Sequence, residues 1–253
     1  MKFAFKSVFL RSVSLLIAAA LILCILCLTS CSDKNPPDDK ETHFSELKYV
    51  AFGDSITYGD DATPAHAQMD KPYPAAVKEL LSLKEASNQG LNGATLVNAN
   101  EGACRTLTIL SYNENADIIS VLLGVNDYQQ SLPLGTLSDS TTSTIYGSLN
   151  LIAKHLTKEY TSAFIFFMTP YKATPNGKDC TEPNAAGYTL ADVANAIKEV
   201  AEKYNIPVLD LYNKGNFESE MYNEDSDGLH PSQEFIITHT APQIAEFIKE
   251  NYK

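Results

Sequence analysis

The stretch LKYVAFGDSITYG, Leu47 to Gly59, decides how this chain is built. Its first half is too uniformly apolar for a strand with one wet face, so Leu47–Phe52 reads as a strand buried on both sides. Gly53-Asp54-Ser55 follows at once, and a turn there sends the chain directly into a helix. A serine on such a turn holds its hydroxyl at the sheet edge, beside the unpaired N–H groups and the positive end of the helix. Negative charge developing next to that hydroxyl would be stabilised. The same serine would also serve as a plain helix cap, so the stretch alone does not settle its role.

Working outward, Ala94–Ala99 (ATLVNA), Asp117–Leu123 (DIISVLL), Ala163–Met168 (AFIFFM) and Ile206–Leu211 (IPVLDL) share the character of the first strand. Helical patterns lie between them, over Tyr73–Ala86, Thr144–Tyr160, Leu190–Tyr204 and Ser232–Asn251. Apolar strands alternating with helices predict an α/β chain, a three-layer α/β/α sandwich around a parallel sheet. Pro170–Gly187 and Asn213–Leu229 read as loops, and long loops at the ends of parallel strands often shape a site. Each would also pass as a tolerated surface insertion.

Residues 1–30 read as a secretory signal, with Lys2, Lys6 and Arg11 ahead of the apolar run Val13–Leu28. The run is too short and too abruptly ended for a membrane-spanning helix. Its ending, Leu28-Thr29-Ser30-Cys31, resembles a bacterial lipobox, which implies cleavage before Cys31, lipidation of that cysteine and an exported protein held at the cell envelope. An ordinary signal peptide with an incidental cysteine is the alternative. Residues 31–46, including SDKNPPDDKE, read as a polar tether, which leaves residues 47–253 as one domain.

The chain carries 19 basic and 31 acidic residues, and because the leader holds three of the basic ones, the remainder has a net charge of −15. That sign argues against nucleic acid as a partner, and contact with a membrane is expected only through the lipid anchor. Once the leader and Cys31 are set aside, Cys104 and Cys180 remain. An exported protein could bridge them, but their spacing marks neither a disulfide nor a zinc site. Within residues 31–253 no CxxC or paired-histidine spacing occurs, so no metal is expected.

A serine is a poor nucleophile unless a base takes its proton and a third group orients that base. DGLHPS, Asp227–Ser232, holds both partners. With two residues between them, Asp227 can accept from His230 Nδ1 and leave Nε2 free for Ser55. Gly228 lets the loop fold back, and Pro231 starts the last helix. A capped helix start with a surface histidine would use the same residues. LLGVND, Leu122–Asp127, puts Asn126 just past a strand end, placed to donate its amide to a developing oxyanion, although a turn asparagine would look no different. In NANEGACR, Asn98–Arg105, Gly102 offers a backbone N–H without steric cost. Of the other histidines, His43, His66 and His155 read as tether, loop or helix-surface residues, and His239 is the second choice for the base.

Taken together, GDSIT, the glycine after the second strand, GVND and DGLHP resemble the SGNH (GDSL-type) esterase and lipase superfamily, over Tyr49 to about Tyr252. The resemblance implies a flavodoxin-like sheet of five parallel strands. It implies Ser55 as nucleophile, His230 as base, Asp227 as orienting acid, and an oxyanion hole of Ser55 N–H, Gly102 and Asn126. Asp54 and Asp127, beside two of these residues, are expected to contact substrate, and no cofactor is implied. The second block departs from the family pattern, because Asn98-Ala99-Asn100-Glu101 shifts the register around Gly102. An α/β-hydrolase would need glycine two residues after the serine, where Thr57 stands.

The expected activity is hydrolysis of short acyl esters, chiefly acetyl, on a small molecule or polysaccharide, through an acyl-enzyme. A lysophospholipase- or thioesterase-like lipid esterase, and an inactive surface module for glycans or protein, are the alternatives. The chain has no tryptophan, so Tyr58, Tyr73, Tyr112, Tyr128 and Tyr171 are the candidates for stacking on sugar.

Overall fold

The computed structural model describes residues 43–99, 102–174, 179–215 and 227–253. The leader, Cys31 and most of the tether lie outside the described residues. Phe44–Glu46 form a 3₁₀ turn, and the Phe44 ring packs 5.8 Å from the ring of Tyr252. Three residues assigned to the tether thus belong to the folded domain, because an aromatic side chain there finds an apolar partner.

The chain runs through β1 (Lys48–Gly53), α1 (Ser55–Tyr58), α2 (Tyr73–Leu81), β2 (Glu85–Gly90), α3 (Arg105–Ser111), β3 (Ile118–Leu122) and α4 (Val125–Gln129). It continues through α5 (Ile145–Glu159), β4 (Phe164–Met168), α6 (Leu190–Lys203), β5 (Val208–Leu209), α7 (Leu211–Lys214), α8 (Gln233–Phe235) and α9 (Ala241–Asn251). All five strands are parallel, in the order β2-β1-β3-β4-β5. This is the flavodoxin-like order, and its direction reverses between β1 and β3, where loops diverge and a crevice opens.

Right-handed crossovers translate that order into layers. The β1-to-β2 step and the steps from β3 to β5 run in opposite directions, so their helices cover opposite faces. The packing follows: α2 lies against α9, while α5 lies against α3 and α6. Every residue of β3 is buried, as a strand covered on both faces requires.

The second strand is not where the apolar pattern puts it. Residues 94–99 form no strand, their one β-bridge being Thr95 with Cys104, and β2 is the polar EASNQG of Glu85–Gly90. An edge strand is only half buried and needs backbone pairing more than apolar side chains, so periodicity misses it. Its last residue must be glycine, since a Cβ on Gly90 would stand 2.0 Å from the Tyr58 backbone nitrogen. Leu96 and Val97 are buried all the same, for a reason that emerges at the site.

The last helix is also less regular than its pattern. Ser232, not Pro231, caps it by accepting from Phe235 N–H at 3.1 Å, and Ile236–Thr240 form a π-helical stretch ahead of α9. Pro242 has no N–H to give the preceding turn, and a wider turn before it accommodates the ring.

Candidate active site

Ser55 is the first residue of α1, directly after the carboxyl end of β1, and Asp54 caps that helix by accepting from Ile56 N–H at 3.0 Å. The cap fixes the turn and leaves the Ser55 hydroxyl at the sheet edge. His230 Nε2 lies 2.7 Å from Ser55 Oγ although the two are 175 residues apart in the chain. On the other side of the ring, His230 Nδ1 lies 2.6 Å from Asp227 Oδ2.

Asp227 both shapes the loop and orients the ring. Its Oδ1 accepts the backbone N–H groups of Leu229 and His230, each at 2.9 Å, which folds the loop so that Oδ2 meets the imidazole. Burial would raise the Asp227 carboxyl, but these three hydrogen bonds and the His230 charge outweigh it and hold it down to about 2. An ionised carboxylate only accepts, so Nδ1 carries the ring proton and Nε2 accepts from Ser55. For His230, burial opposes the charged form, but Asp227 dominates, with Asp60 and Asp54 adding, and the ring titrates above its ordinary value. Gly228 sits at φ +71°, and a Cβ there would stand 2.4 Å from Thr174 O, so the loop's turn admits glycine alone.

Asn126 follows β3, at the start of α4, and one of its amide hydrogens goes to Ala94 O at 2.9 Å. A side-chain amide carries two, so one remains to give. Gly102 is exposed, at φ +86°, with open space around it. Arg105 ties its loop to the sheet by donating to Gln89 O near the end of β2.

Two expected substrate contacts prove to be scaffolding. Asp54 is buried beneath the helix it caps. Asp127 is fully buried, and its two carboxylate oxygens accept the backbone N–H groups of Leu96 and Val97, each at 2.9 Å. This explains how residues 94–97 enter the core without a strand partner. Burial pushes the Asp54 carboxyl up to about 7, with its Ile56 hydrogen bond and His230 opposing and Asp127 adding. Burial likewise raises Asp127 to about 6, against its two backbone donors. The pattern had signalled neither role, because a carboxylate that accepts backbone N–H groups from a remote loop leaves no periodic trace.

Other expectations resolve differently. Tyr73, Tyr128 and Tyr171 are buried and cannot stack on a sugar; only Tyr58 and Tyr112 are partly exposed. His239 stacks on Phe235 at 4.7 Å and meets Thr238, while His230 is the histidine that meets Ser55. Cys104 and Cys180 are both buried and are not joined to each other, and the described residues hold no cluster of His, Cys, Asp or Glu suited to a metal.

Two concavities differ in their relation to this centre. A cavity of about 300 Å³ lies against His230. A wider one, about 840 Å³, is lined by Lys48, Asp117 and Ala163, at or beside the strand beginnings, and so lies at the opposite end of the sheet. Active sites of parallel sheets sit at the carboxyl ends, so the smaller cavity is the relevant one.

A five-stranded flavodoxin-like sheet that sets serine, histidine and aspartate in one hydrogen-bonded line above its carboxyl ends defines a hydrolase of the SGNH type. The chain belongs to the GDSL-like lipase/acylhydrolase family, whose pattern matches residues 51–235, and is accordingly a hydrolase of ester substrates. Solved structures agree on the fold. A possible lipase from Chitinophaga pinensis DSM 2588 is 26% identical, with a TM-score of 0.65 over 81% of this chain and 98% of its own. A protein from Lactobacillus plantarum is 23% identical, with a TM-score of 0.71 over 83% and 100%. A carbohydrate acetylesterase family member from Sinorhizobium meliloti is 19% identical, with a TM-score of 0.56 over 81% and 98%. No curated protein matches the chain.

Proposed function

We propose that this chain is a serine esterase for short acyl esters, acetyl above all, with Ser55 as nucleophile, His230 as base and Asp227 as the group that orients the base. The observation that carries the reading is the continuous line from Ser55 Oγ through His230 to Asp227, at 2.7 and 2.6 Å. His230 Nε2 takes the Ser55 proton as Oγ adds to the ester carbonyl, and Asp227 faces the imidazolium that forms. Asn126 and the N–H groups of Ser55 and Gly102 meet the oxyanion. Collapse expels the alcohol, which receives its proton from His230. Water, activated by the same ring, then clears the acyl-enzyme.

The carbohydrate leaning rests on the modest cavity beside His230, whose lining is dominated by polar residues, and the short-acyl leaning on a sequence without a wide apolar stretch to line a long acyl channel. Comparing p-nitrophenyl acetate, butyrate and palmitate tests it, and preference for palmitate would replace it with a lipid esterase. A fluorophosphonate probe should label the parent and spare Ser55→Ala. An unlabelled parent would instead favour an inactive binding module. Export and anchoring through Cys31 belong to the same proposal, and Cys31→Ala should then move the protein from the membrane fraction to the soluble one.

A further inference from the structure

The cavity beside His230 has a built wall. Asp60 and Gln68 form an antiparallel bridge. The buried Asp60 carboxylate accepts from Ala62 N–H at 2.9 Å and Asn92 Nδ2 at 2.8 Å, and lies 3.0 Å from His66 Nδ1. Met69 N–H donates to Gly59 O at 2.7 Å. Gln233 stands opposite, its Oε1 accepting Lys71 N–H at 3.0 Å. Between them lie about 300 Å³, lined by Asp61, Gln68, Asp70, Gln233 and His230 itself. Asn126 takes no part in the lining.

We propose that this cavity is the subsite for the alcohol part of the ester, and that it accepts an uncharged, hydroxyl-rich group such as a sugar ring and rejects anions. The inference rests on the reading of Ser55 as nucleophile and His230 as base. In acyl transfer the carbonyl oxygen turns toward the oxyanion donor Asn126, while the leaving oxygen takes its proton from His230 Nε2. A cavity that touches His230, and neither Ser55 nor Asn126, is accordingly assigned to the leaving-group side. Its volume sits at the lower end of ligand pockets, about 300–1,000 Å³, which suits one small polar ring.

The lining chemistry sets the class. Gln68 Nε2 donates to Tyr58 O at 2.7 Å, which leaves its carbonyl oxygen to accept. The Gln233 oxygen is engaged by Lys71, which leaves its NH₂ to donate. Asp61 and Asp70 add acceptors. Hydroxyl groups both donate and accept, so they match this mixture. Among the described lining residues there is no lysine or arginine, and the neighbouring Lys71 ammonium is turned to Glu79 at 2.7 Å. A phosphate or carboxylate on the alcohol part would face two carboxylates with no lysine or arginine to offset them, which is how a site discriminates by repulsion.

The test compares an acetylated methyl glucopyranoside with the corresponding methyl glucuronopyranoside, the two differing by one carboxylate. The parent should favour the neutral ester by roughly tenfold in kcat/KM, and the Asp61→Asn, Asp70→Asn double variant should bring that ratio toward one. The readout is a ratio, so a general loss of activity cancels. A parent ratio at or below one, or a ratio unchanged in the variant, overturns the proposal. Amide chemical-shift mapping with the two unacetylated glycosides reads the same contrast without hydrolysis. The neutral sugar should move resonances of residues 61–70 and Gln233, and the uronate should not. Binding contrast without ester turnover would fault the esterase reading and leave the subsite standing; turnover with no contrast, or shifts elsewhere, would fault the subsite.

Discussion

The Asp127 carboxylate accepts the backbone N–H of Leu96 at 2.9 Å, and the same group takes the N–H of Val97 with its other oxygen. Two adjacent N–H groups that a sheet neighbour would ordinarily satisfy are met by one side chain. An apolar segment thereby reaches the core outside the sheet, and the loop leading to Gly102 is tied to the helix that carries Asn126.

Removing that carboxylate leaves both buried N–H groups unsatisfied, at about 1–3 kcal/mol each. Asp127→Ala should therefore lose about 2–6 kcal/mol of unfolding free energy and most of its esterase activity with it. Urea denaturation alongside p-nitrophenyl acetate turnover measures both. A variant as stable as the parent would show that the Leu96–Val97 backbone finds other acceptors.

Asn126 contributes to stability only its Ala94 hydrogen bond, about 1 kcal/mol. Its second amide hydrogen is assigned to the oxyanion, where one donor is worth about 10²–10³ in kcat. Asn126→Ala should fold with nearly the parent's melting behaviour, keep its KM and lose kcat by that factor. Parent-like turnover would remove Asn126 from the oxyanion site.

The base must be neutral to work, so activity should fall as pH drops through the His230 value, which Asp227 raises above 6.5. Asp227→Asn removes that charge and the preferred acceptor for Nδ1–H. Its acid limb in kcat/KM should move to lower pH, and its kcat should fall by roughly 10⁴. An acid limb that stays in place would mean that Asp227 does not face the titrating ring.

Asp54 titrates in the folded chain at about 7, well above an unfolded aspartate near 3.9. A raised acid binds its proton more tightly in the fold, so its contribution is full below about pH 4 and is lost as pH climbs to 7. Asp127, raised to about 6, acts in the same sense. Asp54→Asn keeps an acceptor for Ile56 N–H and cannot ionise. Relative to this variant, the parent should lose a few kcal/mol of stability between pH 4.5 and 7.5, at about 1.4 kcal/mol per pKa unit. Parallel stability curves for the two proteins would contradict an ionising Asp54.

What the chain's order of residues determined by itself was whatever depends on near neighbours. The buried strands at β1, β3 and β4, the helices between them, the turn at Asp54–Ser55 and the three-residue reach from Asp227 to His230 are local, and each is set by burial or by hydrogen bonds a few residues long. Only tertiary structure could decide the rest. It chose the polar Glu85–Gly90 over the apolar Ala94–Ala99 as edge strand, because pairing with β1 supplied what hydrophobicity did not. It turned Asp54 and Asp127 into buried supports, and brought Asp61, Asp70 and Gln233 together beside His230. Those outcomes depend on which groups meet far along the chain, 31 residues apart for Asp127 and Leu96 and 162 for Lys71 and Gln233, and a carboxylate's partner is fixed by where the fold brings backbone N–H groups within reach.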